Sequence, residues 1–166
     1  MRLPQIAKIS PIQTTRNFIH ACNRPLFSKI GTYRAYVLGQ FTLKAITTDD
    51  NERDFSAVME SKDNIAAVAP DRTWPEGLTL DQNLIDLAWH QKEFEARRSF
   101  AWIIENDAAD YLGCVYVYPS NESEKAAVVR WWWRKGFEAN NDLFQGLLFA
   151  WLESSDWPDL NFSKSP

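Results

Sequence analysis

The sequence predicts an α/β domain of the α+β kind, with helices on both faces of one sheet. Three observations predict it. The strands Ser99–Glu105, Tyr111–Tyr118 and Ala126–Trp133 are apolar at successive positions, the mark of strands covered on both sides. Two helical segments precede them, and a nearly apolar, and so buried, helix follows from about Asp142. The third strand enters that helix through the short turn Arg134–Asn141. A helix N-terminus entered from a strand offers backbone N–H groups to a phosphate, so this turn is the place to look for a cofactor.

The elements follow in order. Tyr33–Ile46 is β-rich, with Val37, Phe41 and Leu43 among polar positions and Gly39 marking a bulge or a turn. Thr48-Asp49-Asp50 starts a helix that runs to about Ser61, with Phe55, Val58 and Met59 as its buried stripe. Asp63–Ala69 adds a short helix, and Asp71–Gly77 is a loop. Thr79 and Gln82 form a capping box for a helix to about Arg98, whose apolar stripe is Leu80, Leu84, Leu87 and Phe94, joined by Ile85 and Trp89. In the sheet, Ala101 and Ile103 share one face while Phe100, Trp102 and Ile104 share the other. Leu112, Cys114 and Tyr116 alternate likewise with Gly113, Val115 and Val117, and Asn106–Asp110 closes a hairpin. In the last helix Phe144, Leu147, Leu148 and Trp151 recur at helical spacing, and Leu160–Phe162 supplies one more short strand.

Composition narrows the class. Eight Trp in 166 residues and 45% apolar side chains supply one domain with a sizeable core. No apolar run reaches the roughly 18 residues of a membrane span, so no membrane partner is expected. Two cysteines without a secretory leader point to a reducing, cytoplasmic setting. Residues 1–48 carry seven Lys or Arg and no acid, whereas the remainder carries eleven basic and twenty-two acidic side chains. Residues 1–38 therefore read as a basic N-terminal arm and 39–166 as the domain. A basic arm without acids is compatible with a mitochondrial transit peptide or a nucleic-acid-binding arm. Pro4, Pro11 and Pro25 break any long amphipathic helix there and favour an arm lying on the acidic body.

Candidate chemistry is sparse. His20, Cys22, His90 and Cys114 have no metal-ligand spacing. Phosphate-loop, dinucleotide and nucleophile-elbow motifs are missing. Cys114, in a strand apolar on both faces, reads as an inert thiol. His90 shares a helix face with Asn83, Leu87 and Phe94 and is either a general base or a structural hydrogen-bonding residue. Tyr116 is either a packing residue or an acid that meets substrate. The run Trp131-Trp132-Trp133 suggests a base-stacking platform, but strand alternation splits it between two faces and makes it core. No nucleic-acid partner follows from it.

Trp74-Pro75, Asn83, Asp86-Leu87, His90, Phe94, the strand Leu112-Gly113-Cys114-Val115-Tyr116, Pro119 and the ending Trp151-Leu152…Trp157-Pro158, in the element order β-α-α-β-β-β-α-β, resemble the GNAT superfamily of acyl-CoA-dependent N-acetyltransferases. More closely they resemble its small bacterial members, over residues 40–163. The resemblance implies a mixed, mostly antiparallel sheet and an acyl transfer from acetyl-CoA to a small amine, with His90 and Tyr116 as catalytic candidates. It also implies a cofactor whose pantetheine lies along Val129, Trp131 and Trp133, with its pyrophosphate at Arg134, Lys135, Gly136, Asn140 and Asn141. Here the chain departs from the family. The superfamily turn reads Arg/Gln-x-x-Gly-x-Gly/Ala; registered on Leu143, its basic position falls on Lys135 and its small positions on Glu138 and Asn140. A carboxylate there repels phosphate. The superfamily's further helix and two strands are also missing, so the expected fold is C-terminally truncated. The sheet edge near Leu160–Phe162 then needs cover, which a homodimer would give. The alternative to an enzyme is a GNAT-fold module that binds a ligand or partner without catalysis.

Overall fold

Chain order is sheet order in this protein. A computed structural model describes residues 34–68, 73–121, 123–154 and 156–164. Its six-stranded sheet runs β1 (Ala35–Leu38), β2 (Phe41–Ala45), β3 (Phe100–Glu105), β4 (Tyr111–Pro119), β5 (Ala126–Trp133) and β6 (Asn161–Lys164), in that spatial order. The first five are antiparallel to their neighbours, and β6 runs parallel to β5. The helices are α1 (Asn51–Glu60), α2 (Lys62–Val68), α3 (Leu80–Glu95) and α4 (Asn141–Leu152). Most of the basic arm lies outside the described residues. Ala35–Leu38, at its end, forms β1 and pairs with β2, so the described part of that β-rich segment is a hairpin turning at Gly39.

The sheet separates two cores, as strands apolar on both faces require. Under α4 lie Phe41, Leu43, Phe100, Trp102, Val115, Trp131, Trp133, Phe144, Leu148 and Trp151. Under α1, α2 and α3 lie Ile46, Ala57, Val58, Ile65, Leu87, Ala101, Ile103, Cys114 and Trp132. The three tryptophans of β5 are all buried and alternate between these cores, so they are packing residues. Removing each such large side chain from water contributes about 2 kcal/mol before entropy is counted.

Several sequence expectations shift. In α1 the buried positions are Asp54, Ala57 and Val58, while Phe55 and Met59 are half-buried, because Asp54 has hydrogen-bond partners in the core. The capping box of α3 forms as expected, with Thr79 N–H to Gln82 at 3.0 Å and Gln82 N–H to Thr79 at 3.2 Å. Its buried face is Asn83, Leu87, Glu93 and Phe94, and Leu80, Leu84, Ile85 and Trp89 are exposed. The helix stops at Glu95 rather than Arg98. Arg97 enters the left-handed region (φ 54°), and Arg98 and Arg97 donate to Glu93 and Phe94 carbonyls in a Schellman closure. In α4 one face is buried while Leu143, Gln145, Gly146 and Ala150 are exposed, so that helix is amphipathic rather than buried all round.

One irregularity bears directly on the site. In the β3–β4 ladder Ile104 pairs with Gly113 but Glu105 pairs with Tyr111, leaving Leu112 as an extra residue. This β-bulge sends Leu112 to the α4 core and turns Tyr111 to the face of Cys114. Strict alternation had put Leu112 with Cys114 and Tyr116. Gly113 sits so close to the Trp132 carbonyl that a Cβ there would collide with backbone.

Candidate active site

Two regions meet at β5. The first is the turn into α4. After Trp133 the chain makes a loop, then a single 3-10 turn at Glu138–Asn140, then α4. Gly136 adopts φ +95°, which suits glycine. The Glu138 carboxylate accepts the Gly136 N–H and, at 2.7 Å, the Asn64 side chain, which also holds the Trp133 carbonyl at 2.9 Å. These hydrogen bonds, Asn64 foremost, lower the Glu138 pKa. Arg134 pairs with Glu60 at 2.7 Å, the Lys135 N–H donates to Ser61, and the Lys135 side chain is exposed. Asn141 accepts the indole N–H groups of Trp131 (3.0 Å) and Trp133 (3.4 Å), and Asn140 donates to the Phe137 carbonyl. An open cleft of about 450 Å³ beside this turn is lined by Gln40, Phe41, Asn106, Leu112, Phe137 and Asn140, on the α4 side of the sheet.

The edge of β5 is the second half of that region. β5 pairs with β4 as far as Trp133, but with β6 only over Ala126–Val129. Among the described residues, no strand continues that ladder beyond Val129. An extended amide-bearing chain can hydrogen-bond along such an edge.

The second region lies on the α1–α3 face beside this edge. His90 packs between Trp89 (centroids 4.9 Å) and Tyr116 (5.3 Å). Burial pushes the His90 pKa down to about 4, against a weaker upward pull from Glu93, so the imidazole is neutral at pH 7. Trp132 Nε1–H donates to the Tyr116 hydroxyl at 3.2 Å. Cys114 Sγ lies 2.8 Å from the Tyr111 hydroxyl, which donates to Asp54 at 2.5 Å. Asn83 donates to the other Asp54 oxygen at 2.9 Å. Burial raises the Asp54 pKa, offset by the Tyr111 and Asn83 hydrogen bonds and reinforced by Asp50 and Asp86. It also raises those of Tyr111, Cys114 and Tyr116.

The structure thus groups His90 with Tyr116, and the six turn and strand residues Trp131, Trp133, Arg134, Lys135, Gly136 and Asn141 around the entry to α4. Val129 lies apart from the open edge, buried and paired with β6. Asp54, Tyr111 and Asn64, which the site also uses, carry no motif in the sequence. The available signal was Asp54 on the face of Ala57 and Val58, a carboxylate inside an apolar stripe.

The architecture is that of the GNAT acetyltransferases. The alpha-N-protein acetyltransferase RimL, solved with coenzyme A, superposes with a TM-score of 0.59 at 14% identity, over 74% of this chain and 70% of that one. MccE, a microcin self-immunity acetyltransferase solved with acetyl-CoA and AMP, gives 0.60 at 13%, over 76% and 69%. A Bordetella pertussis acetyltransferase assigned to the GNAT family gives 0.53 at 15%, over 75% and 74%. At these identities the likeness defines the fold. The sequence matches no family model and no curated protein sequence.

An acyl-CoA is the cofactor this fold implies, and the residues present fit one half of it. The edge of β5 beyond Val129, with the Trp133 carbonyl held by Asn64, leaves room for an extended amide-bearing arm beside Trp131. The turn does not fit the pyrophosphate, because the Glu138 carboxylate already takes the Gly136 N–H.

Proposed function

We propose that the protein is an N-acyltransferase that moves an acyl group from a pantetheine thioester to an amine. The observation that carries this is the edge of β5 beyond Val129, where β6 no longer runs alongside and which lies beside the Tyr116–His90 pair. A thioester laid along that edge would present its carbonyl to an amine arriving from the α1–α3 face. Aromatic rings and a neutral His90 favour a deprotonated amine there, since burial disfavours an ammonium. The fold shared with RimL and MccE supports the same reaction class. Acetyl-CoA is the donor to try, and small primary amines and short peptides with free N-termini are the acceptors.

The test is release of free thiol from acetyl-CoA against such a panel, together with calorimetric titration of acetyl-CoA. Micromolar binding and amine-dependent thiol release are expected. If acetyl-CoA neither binds nor turns over, the open edge holds another ligand, and the protein is a non-catalytic binding module, a role that Glu138 in the turn would favour.

A further inference from the structure

We propose that the segment Arg24–Tyr33 of the basic arm docks on the outer face of α3 and covers an apolar patch that the rest of the protein leaves bare. This inference does not depend on the acyltransferase reading. Six large apolar side chains are exposed among the described residues, and four of them, Leu80, Leu84, Ile85 and Trp89, belong to this one helix. The other two, Val37 and Leu143, stand singly on β1 and α4. Single exposed apolar residues are ordinary, whereas a cluster marks a surface that something covers. The four are joined at helical spacing through the exposed Ala88: Leu80 to Leu84, Leu84 to Ala88, and Ile85 to both Ala88 and Trp89.

The chain enters the domain beside this patch. The first described residue, Arg34, pairs with Glu95 in the last turn of α3 at 3.3 Å. The residues before it therefore start from one end of the exposed face. α3 is 16 residues long, about 24 Å at 1.5 Å per residue. Ten extended residues span up to about 33 Å, so Arg24–Tyr33 can run from Glu95 back to Leu80 without drawing on the rest of the arm.

The chemistry of the two partners matches. Residues 1–33, outside the described residues, hold five Lys or Arg and no acid, and Arg24–Tyr33 combines Leu26, Phe27 and Ile30 with Arg24 and Lys29. α3 exposes Asp81, Asp86 and Glu95, with Lys92 as its single Lys or Arg. Apolar contact supplies the attraction, and opposite charge sets the place. A second copy of this face would set acids against acids, which favours the arm over a dimer as the occupant. Trp89 also packs on His90, so a docked arm borders the aromatic side of the candidate site.

The experiment is photo-crosslinking within the full chain. The photoreactive residue p-benzoylphenylalanine takes the place of Ile85, which at 68% exposure can change without disturbing the core. In a second protein it takes the place of Leu143 on α4, on the other face of the sheet. After irradiation at low protein concentration, the crosslinked peptides are mapped by mass spectrometry. Crosslinks within one chain from position 85 to residues 24–33 are expected, about fivefold or more above those from position 143. Reversing the arm charges with Arg24→Glu and Lys29→Glu should cut that yield about fivefold. Crosslinks from position 85 that join two chains would give the patch to a second copy and overturn the proposal. Equal arm crosslinking from the two positions, no arm crosslinking at all, or a yield untouched by charge reversal would overturn it as well.

Discussion

The Glu138 carboxylate sits on the backbone N–H of Gly136, with oxygens at 2.9 and 3.1 Å. An acid of the chain thereby occupies the position at which an incoming phosphate would be bound. Glu138→Ala is expected to tighten acetyl-CoA binding roughly tenfold by removing both the occupant and its charge. Titration calorimetry decides, and weaker binding by the variant would show that phosphates bind elsewhere.

His90 makes stability depend on pH. Its pKa falls from 6.5 to about 4 in the folded protein, so the unfolded chain takes up a proton first as pH drops. Stability is fully present above about pH 6.5 and is lost between there and pH 4. The loss is on the order of 3 kcal/mol. His90→Gln should flatten this part of the curve in urea unfolding from pH 7 to 4; an identical slope in the two proteins would contradict the burial of this ring.

Gly113→Ala would press a methyl group into the Trp132 carbonyl of the neighbouring strand. Neither partner is a flexible side chain, so β4 and β5 must part. A loss of about 3 kcal/mol is expected. Chemical denaturation measures it, and a change below about 1 kcal/mol would mean the strands separate easily at this point.

Asp50 is buried, which alone would raise its pKa, but Lys44 at 2.7 Å and the Thr47 hydrogen bonds outweigh burial and lower it. Its contribution is therefore present above the unfolded value of 3.8 and fades as pH falls through the lower folded value. Asp50→Ala should cost about 1 kcal/mol at pH 7 by removing the Thr47 capping bonds and the contact with the exposed Lys44, with the gap between variant and wild type closing in acid.

Much of the fold was legible because its cues are local. Thr79 and Gln82 cap a helix by their spacing alone, and alternation assigned Trp131, Trp132 and Trp133 to opposite cores. The candidate site was less legible, for physical reasons. An extra residue at Leu112 reverses the face of Tyr111, and no pattern in the strand announces it. Asp54 shares the face of Ala57 and Val58, but the partners that hold it, Tyr111 and Asn83, are distant in sequence and no spacing announces them. Glu138 read as a repulsive charge, but its grip on Gly136 depends on Asn64 from a different helix.

The match between chain order and sheet order has a consequence for how the molecule assembles. From β1 to β5 each strand lies against its predecessor in sequence, so pairing proceeds between neighbours along the chain. Two of those steps, β1–β2 and β3–β4, close over turns of only a few residues. The last strand is different. β6 runs parallel to β5 and reaches it only after α4 has crossed the sheet, a closure longer than either hairpin turn and exceeded only by that of β2 on β3. With three of its four residues exposed, it also has little burial to hold it. In native-state hydrogen exchange, β6 should therefore open well before the β3–β4–β5 centre, and the width of the β5 edge available to a ligand is set by a strand with little burial to anchor it.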